Sequence, residues 1–133
     1  MHAEFAYSQK VSTKADVYSY GVVLIEMVTR KAPHAFNNNY ANDVSSESET
    51  KSPSSSSLVE WVGDLYPERV IDDAVDDALK GNATPVTSHQ IVSVVKLALS
   101  CTHLTPNRRP SMRVVLSTLN EICHYTATSP HNF

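Results

Sequence analysis

A chain of 133 residues is the length of one modest domain, and its 41% apolar and 19% charged residues suit a packed globule with one polar stretch better than a disordered chain. The net charge is −3 and the eleven lysines and arginines are scattered, which excludes a continuous basic surface for nucleic acid or an anionic membrane. The longest strongly apolar run, from Val22 to Val28, is broken by Glu26 and falls far short of the ~20 residues needed to cross a bilayer.

The start, Met1-His2-Ala3-Glu4, lacks the basic and apolar runs of a secretory signal, so nothing in this chain is expected to direct it across a membrane. Thr13-Lys14-Ala15-Asp16 places a capping hydroxyl three residues before a carboxylate and predicts a helix from Thr13 to about Lys31. In the run that follows, Val17, Tyr20, Leu24, Met27 and Val28 form one face, while Val22, Val23 and Ile25 cover much of the rest. Such a helix belongs at the centre of other elements. Its β-branched residues also suit a buried strand, but length and capping favour helix. Pro33 ends it.

Residues 34–57 turn to asparagine, serine and short charged residues, ending in four consecutive serines. They offer little apolar area to offset the entropy of ordering, which predicts a mobile low-complexity loop, either a tolerated insertion or a phosphorylated regulatory segment. Leu58-Val59-Glu60-Trp61-Val62 predicts a short amphipathic helix capped by Ser57, broken by Tyr66-Pro67-Glu68-Arg69. Asp72, Asp73, Asp76 and Asp77 follow, interleaved with Ile71, Val75 and Leu79. The glycine and closing glutamate of a calcium loop are missing, so a solvated acidic face is expected.

Ile91, Val94, Val95, Ala98 and Cys101 recur at three- and four-residue intervals and predict a helix from Ser88 to about His103. Thr105-Pro106-Asn107 is a turn, and the last helix runs from about Ser111 to Cys123 with Met112, Val115, Leu116, Leu119 and Ile122 as its apolar face. A polar tail closes the chain. Cys101 and Cys123 both sit in apolar helical contexts and are expected to be reduced core thiols. The fold class is all-α, with no convincing sheet.

In combination these motifs resemble the carboxyl-terminal lobe of protein kinases, most closely the plant receptor-like serine/threonine kinases. Glu4-Phe5-Ala6-Tyr7 followed by VSTKADVYSYGVVLIEM resembles the end of the activation segment and the central helix of the large lobe. LVEWV resembles the next short helix, and LALSCTHLTPNRRPSMRVV the terminal helix, turn and final helix. The resemblance implies the helical large-lobe portion of a kinase-like fold without the small β-rich lobe: residues 1–125 as a partial kinase domain with its insertion at about 34–57, and 126–133 as the tail.

By the same resemblance, Glu4 pairs with Arg109 in a buried carboxylate–guanidinium contact, and Asp16 hydrogen-bonds the backbone of the catalytic loop. Val23 and Met27 support the hydrophobic stack that reaches the adenine, and Trp61 is the packing aromatic of the short helix. Two departures stand out. The family's Ala-Pro-Glu appears as His2-Ala3-Glu4, and Arg30 stands where a glycine is usual after the central helix.

The chemistry of the family lies elsewhere. The three glycines, Gly21, Gly63 and Gly81, make no G-x-G phosphate cradle, and no His-Arg-Asp or Asp-Phe-Gly triplet occurs. No catalytic, cofactor or metal-binding residue is therefore assigned in this chain; ATP and magnesium are implied for a complete parent kinase. The implied partners are the missing small lobe and catalytic loop, and the parent's protein substrates. A noncatalytic interaction module derived from a kinase lobe is the alternative, with a protein partner at Trp61 or the serine-rich loop. The implied location is the cytoplasmic side, with the parent a plasma-membrane receptor.

Overall fold

The computed structural model describes residues 2–33 and 57–126, with side chains from residue 13 onward. The expectation for the Glu4 carboxylate therefore lies outside the described side chains, and those for most of the serine-rich segment and the tail beyond Thr126 lie outside the described residues. All regular structure among the described residues is helical: α1 (His2–Thr29), α2 (Leu58–Leu65), α3 (Val70–Asp73), α4 (Asp77–Lys80), α5 (Pro85–Cys101), a 3-10 turn at Pro106–Arg108, and α6 (Met112–Cys123).

Two helix starts differ from those predicted. α1 begins at His2, which puts the Thr13-x-x-Asp16 pattern inside the helix. No proline or glycine separates His2 from Thr13, so nothing in that run breaks the helix. α5 begins at Pro85, not Ser88. Thr84 caps it by accepting from the Thr87 amide at 3.1 Å, and proline at the first turn loses no helical hydrogen bond. The cap read from sequence at Ser57 is in place, accepting from the Glu60 amide at 3.2 Å, and Ser111, at the expected start of the last helix, caps it by accepting from the Val114 amide at 3.3 Å.

α1 and α5 form the main packing pair, with α6 on α5 and α2 against α1. The two helices come close together at Gly21. A methyl group there would lie 2.7 Å from Cys101 Cβ, 2.8 Å from Thr102 Cγ2 and 2.9 Å from the Ala98 carbonyl oxygen. Glycine is required because only a hydrogen fits between the helices. The core around this crossing joins Val17 and Ile25 of α1, Leu58 and Val62 of α2, Val70 of α3, Val95, Ala98 and Cys101 of α5, and Val115 of α6, all buried. Burying each valine, leucine or isoleucine contributes about 1.5–3 kcal/mol.

α1 stops through a local network. Thr29 Oγ1 donates to the Ile25 carbonyl at 2.8 Å and accepts from the Lys31 amide at 3.2 Å. Arg30 adopts φ 57, the left-handed conformation in which glycine is usual after a helix, and its amide donates to the Glu26 carbonyl at 2.7 Å. The Asp76 amide then reaches back to the Val28 carbonyl at 3.0 Å, joining the acidic segment to α1.

That acidic segment, read from sequence only as a solvated face, forms the two short helices α3 and α4. Asp76 caps α4 by accepting from the Ala78 amide at 3.0 Å, and Arg69–Asp73, Lys80–Asp77 and Arg30–Asp76 approach at 2.7, 3.4 and 3.6 Å. At the far end, Gln90 Nε2 donates to the Ile122 carbonyl at 3.0 Å, and the His89 and Tyr125 rings stack at 3.8 Å. These contacts hold the end of α6 on the beginning of α5.

Candidate functional site

The residues singled out by sequence fall into two places on α1 and one on α2. Near the amino-terminal half of α1, Arg109 anchors the turn that precedes α6. Its Nε donates to the His103 carbonyl at 2.8 Å and its Nη1 to the Lys14 carbonyl at 3.0 Å. Lys14 Nζ donates back to the Arg109 carbonyl at 2.7 Å, and the guanidinium carbon lies 4.9 Å from the Tyr18 ring centroid. A planar, permanently charged fork suits this role because it can satisfy two carbonyls while stacking on an aromatic face. The Glu4 carboxylate expected to complete the latch lies outside the described side chains.

Lys14, Tyr18 and the His103 carbonyl were not singled out from sequence. Lys14 and Tyr18 are four residues apart and share a helix face, a signal that was available. The backbone carbonyls left no trace in residue identity.

The second place is the exposed stripe of α1. Asp16 is exposed, Val23 retains 46% of its surface and Met27 67%, while Val17, Leu24 and Ile25 between them are buried. Met27 thus leaves the buried face on which sequence reading placed it, because α2 and α5 cover only one side of α1. The spacing of Asp16, Val23 and Met27, seven and then four residues, aligns them along one face. A carboxylate and two apolar side chains there form a surface suited to packing.

Trp61 of α2 is half-buried against the core, and Lys31 Nζ stands 5.7 Å from its ring centroid. α2 is thereby joined to the end of α1, as a packing aromatic would join them.

Two further expectations are corrected. Cys123 is exposed on the last turn of α6 and is no core thiol, whereas Cys101 is fully buried and its thiol is pushed above the usual range by desolvation. Leu116 and Met112, expected on the buried face of α6, are 69% and 38% exposed, because α6 meets the rest only along the stripe of Val115, Leu119 and Ile122. Between α5 and α6 lies an open groove of about 350 Å³ lined by Lys96, Ser100, Val114 and Glu121 among others.

Among the described residues, no three acidic, histidine or cysteine side chains come together in a way that could hold a metal. No buried side-chain nitrogen or oxygen there lacks a partner. No described helix is long and apolar enough to cross a membrane.

Comparison with known proteins identifies the lineage. The sequence model of the protein tyrosine and serine/threonine kinase family matches residues 1–119. Receptor-like protein kinase HAIKU2 of Arabidopsis thaliana is 34% identical over 126 residues, covering 90% of this chain and 10% of that protein. From the same plant, the probable L-type lectin-domain containing receptor kinase S.5 is 33% identical over 124 residues, covering 90% of this chain and 16% of that protein. The LRR receptor-like serine/threonine-protein kinase RGI3 is 32% identical over 124 residues, covering 93% and 10% respectively. The chain therefore spans about a tenth to a sixth of the length of these curated relatives. Its ordered helices, lacking any strand among the described residues, are consistent with the large lobe of a kinase, and the chain belongs to the protein tyrosine and serine/threonine kinase family, with homology to the plant receptor-like kinase domains.

Proposed function

We propose that this chain is the scaffold portion of the large lobe of a receptor-like serine/threonine kinase whose parent reaction transfers the terminal phosphoryl group of ATP to a protein serine or threonine. The carrying observation is the uncovered α1 stripe. Asp16, Val23 and Met27 lie exposed on a helix whose opposite side is fully packed, at the positions the resemblance assigns to contacts with the catalytic loop and the adenine-linked stack.

The residues present do not fit ATP and magnesium. Gly21 is wedged against Cys101, and the described side chains provide no metal-binding cluster. The nucleotide, the metal and the acceptor hydroxyl would be held by parts of a parent that this sequence does not contain, and no chemical step is assigned to its residues. In the parent, Arg109 with Lys14 and Tyr18 would fix the last helices to α1, with Glu4 as the further partner. The lobe would face the cytoplasm beneath a plasma-membrane receptor.

The test is to sequence the transcript upstream of Met1 and, where it encodes a small lobe with His-Arg-Asp and Asp-Phe-Gly motifs, to express the extended protein. That protein should phosphorylate a serine/threonine peptide. Val23→Asp and Met27→Asp should abolish its activity while leaving residues 1–133 alone as stable as before. An initiation site verified at Met1 with no such upstream coding sequence would defeat the proposal.

A further inference from the structure

Four places in the chain put a serine or threonine directly before proline: Ser52, Thr84, Thr105 and Ser129. Thr84 and Thr105 are the two among the described residues, and the structure treats them differently. Both are exposed and extended, the backbone region that a following proline enforces. Thr84 Oγ1, however, accepts from the Thr87 amide at 3.1 Å and shares a hydrogen bond with the Thr87 hydroxyl at 3.0 Å, capping the 17-residue helix α5. Its oxygen is committed to the fold.

Thr105 precedes only the three-residue turn Pro106–Arg108, and its side chain makes no capping bond to that turn. Its neighbour Leu104 is 88% exposed, so both side chains stand out from the body of the protein. Within the turn Arg108 N–H donates to the Thr105 carbonyl at 3.0 Å and Arg109 N–H to the Pro106 carbonyl at 3.1 Å, and the Thr105 amide donates to His103 Nδ1 at 3.0 Å, so the Thr105 backbone is engaged while its hydroxyl makes no capping bond. Three residues after the hydroxyl comes the exposed Arg108, a cation that no described ion pair engages.

We infer that Thr105 is a phosphorylation site for a proline-directed kinase, recognised through Pro106 and Arg108. Pro106 has no amide hydrogen, so it enters an apolar acceptor pocket without leaving a donor unsatisfied. Arg108 supplies the charge-assisted contact that fixes register. Thr105 Oγ attacks the terminal phosphorus of ATP. A new O–P bond forms, the bond to the bridging oxygen of ADP breaks, ADP departs, and the hydroxyl proton passes to the modifying kinase's base. The product places a dianion on the turn that carries Arg108 and Arg109, beside the clasp to Lys14.

The 133-residue chain, shown to be helical by circular dichroism in the assay buffer, is incubated with a proline-directed kinase and magnesium ATP, and phosphopeptides are mapped by mass spectrometry over time. Thr105 should be modified and Thr84 should not. Thr105→Ala should lose that phosphopeptide, and Arg108→Ala should slow its formation about tenfold, the loss expected from one charge-assisted contact. Phosphate confined to Ser52 or Ser129, equal modification of Thr84, or an Arg108→Ala variant modified at the wild-type rate would overturn the inference.

Discussion

Replacing Gly21 with alanine should destabilise the protein, and replacing Gly63 with alanine should stabilise it, although both glycines lie inside helices. Alanine in a helix interior is favoured over glycine by about 1 kcal/mol. At Gly63 nothing opposes that gain, since the nearest atom to an added methyl is Leu99 Cδ2 at 3.8 Å, an ordinary contact. At Gly21 the methyl would meet three atoms within 2.9 Å, among them a backbone carbonyl oxygen and a Cβ. The carbonyl oxygen and the Cβ cannot swing aside, and Thr102 is held by its hydroxyl's bonds to the Ala98 and Leu99 carbonyls, so α1 and α5 must separate locally. Overpacking of this kind costs about 1–3 kcal/mol, and three simultaneous contacts place Gly21 near the upper end. The net for Gly21→Ala is a loss of about 1–2 kcal/mol after the helix gain is subtracted. Urea unfolding of residues 1–133 followed by circular dichroism at 222 nm, the helical band, measures both variants against the parent. A Gly21→Ala variant as stable as wild type would refute the close crossing of α1 and α5.

Arg30→Gly should be neutral to stabilising. Relief of the left-handed strain is worth roughly 1 kcal/mol, set against a surface ion pair worth about 0–1 kcal/mol. Thermal melts should show the gain growing with salt, and a loss beyond about 1 kcal/mol would contradict it. Arg109→Lys keeps the charge but cannot span the His103 and Lys14 carbonyls. A loss of about 1.5–3 kcal/mol is expected in denaturant titration, against little change if the guanidinium were merely a surface charge. Cys123 should react with a thiol reagent in the folded protein, and Cys101 only on unfolding. Because burial raises the Cys101 pKa, the unfolded thiol ionises first; stability present at lower pH should be lost as pH climbs through the ordinary thiol range. Cys101→Ala should flatten that slope in pH-dependent urea titrations.

The order of the helices was legible because their apolar residues recur at helical spacing and because hydroxyl residues mark two of their starts. Ser57 caps α2 as read, and Ser111, read as the start of the last helix, caps α6. The start of α5 was also legible in principle, since Thr84-Pro85 carries both a cap and a first-turn proline, although the apolar repeat itself begins only at Ile91. What could not be read was coverage. Periodicity tells which residues are apolar, and says nothing of whether a neighbour lies over them, so Met27, Leu116 and Met112 were assigned to buried faces they do not occupy. The Arg109 clasp was half legible: the arginine stood out through its motif, while the carbonyls of His103 and Lys14 that receive its protons are common to every residue type.

The apolar character of α1 on several sides has a physical consequence for the proposed scaffold role. One side is closed by α5, so close at Gly21 that a methyl group would not fit, and by α2. The other keeps Val23 and Met27 in water, which forgoes the stabilisation their burial would bring. A helix selected only to hold these 133 residues together would gain by carrying polar side chains there. Apolar residues on that stripe, with the Asp16 carboxylate on the same face, suit a surface that meets further protein. Either a kinase catalytic region or a separate protein partner could cover apolar side chains. A catalytic loop that donates a backbone amide to Asp16 would also account for the carboxylate, and the family match from residue 1 through 119 favours that occupant.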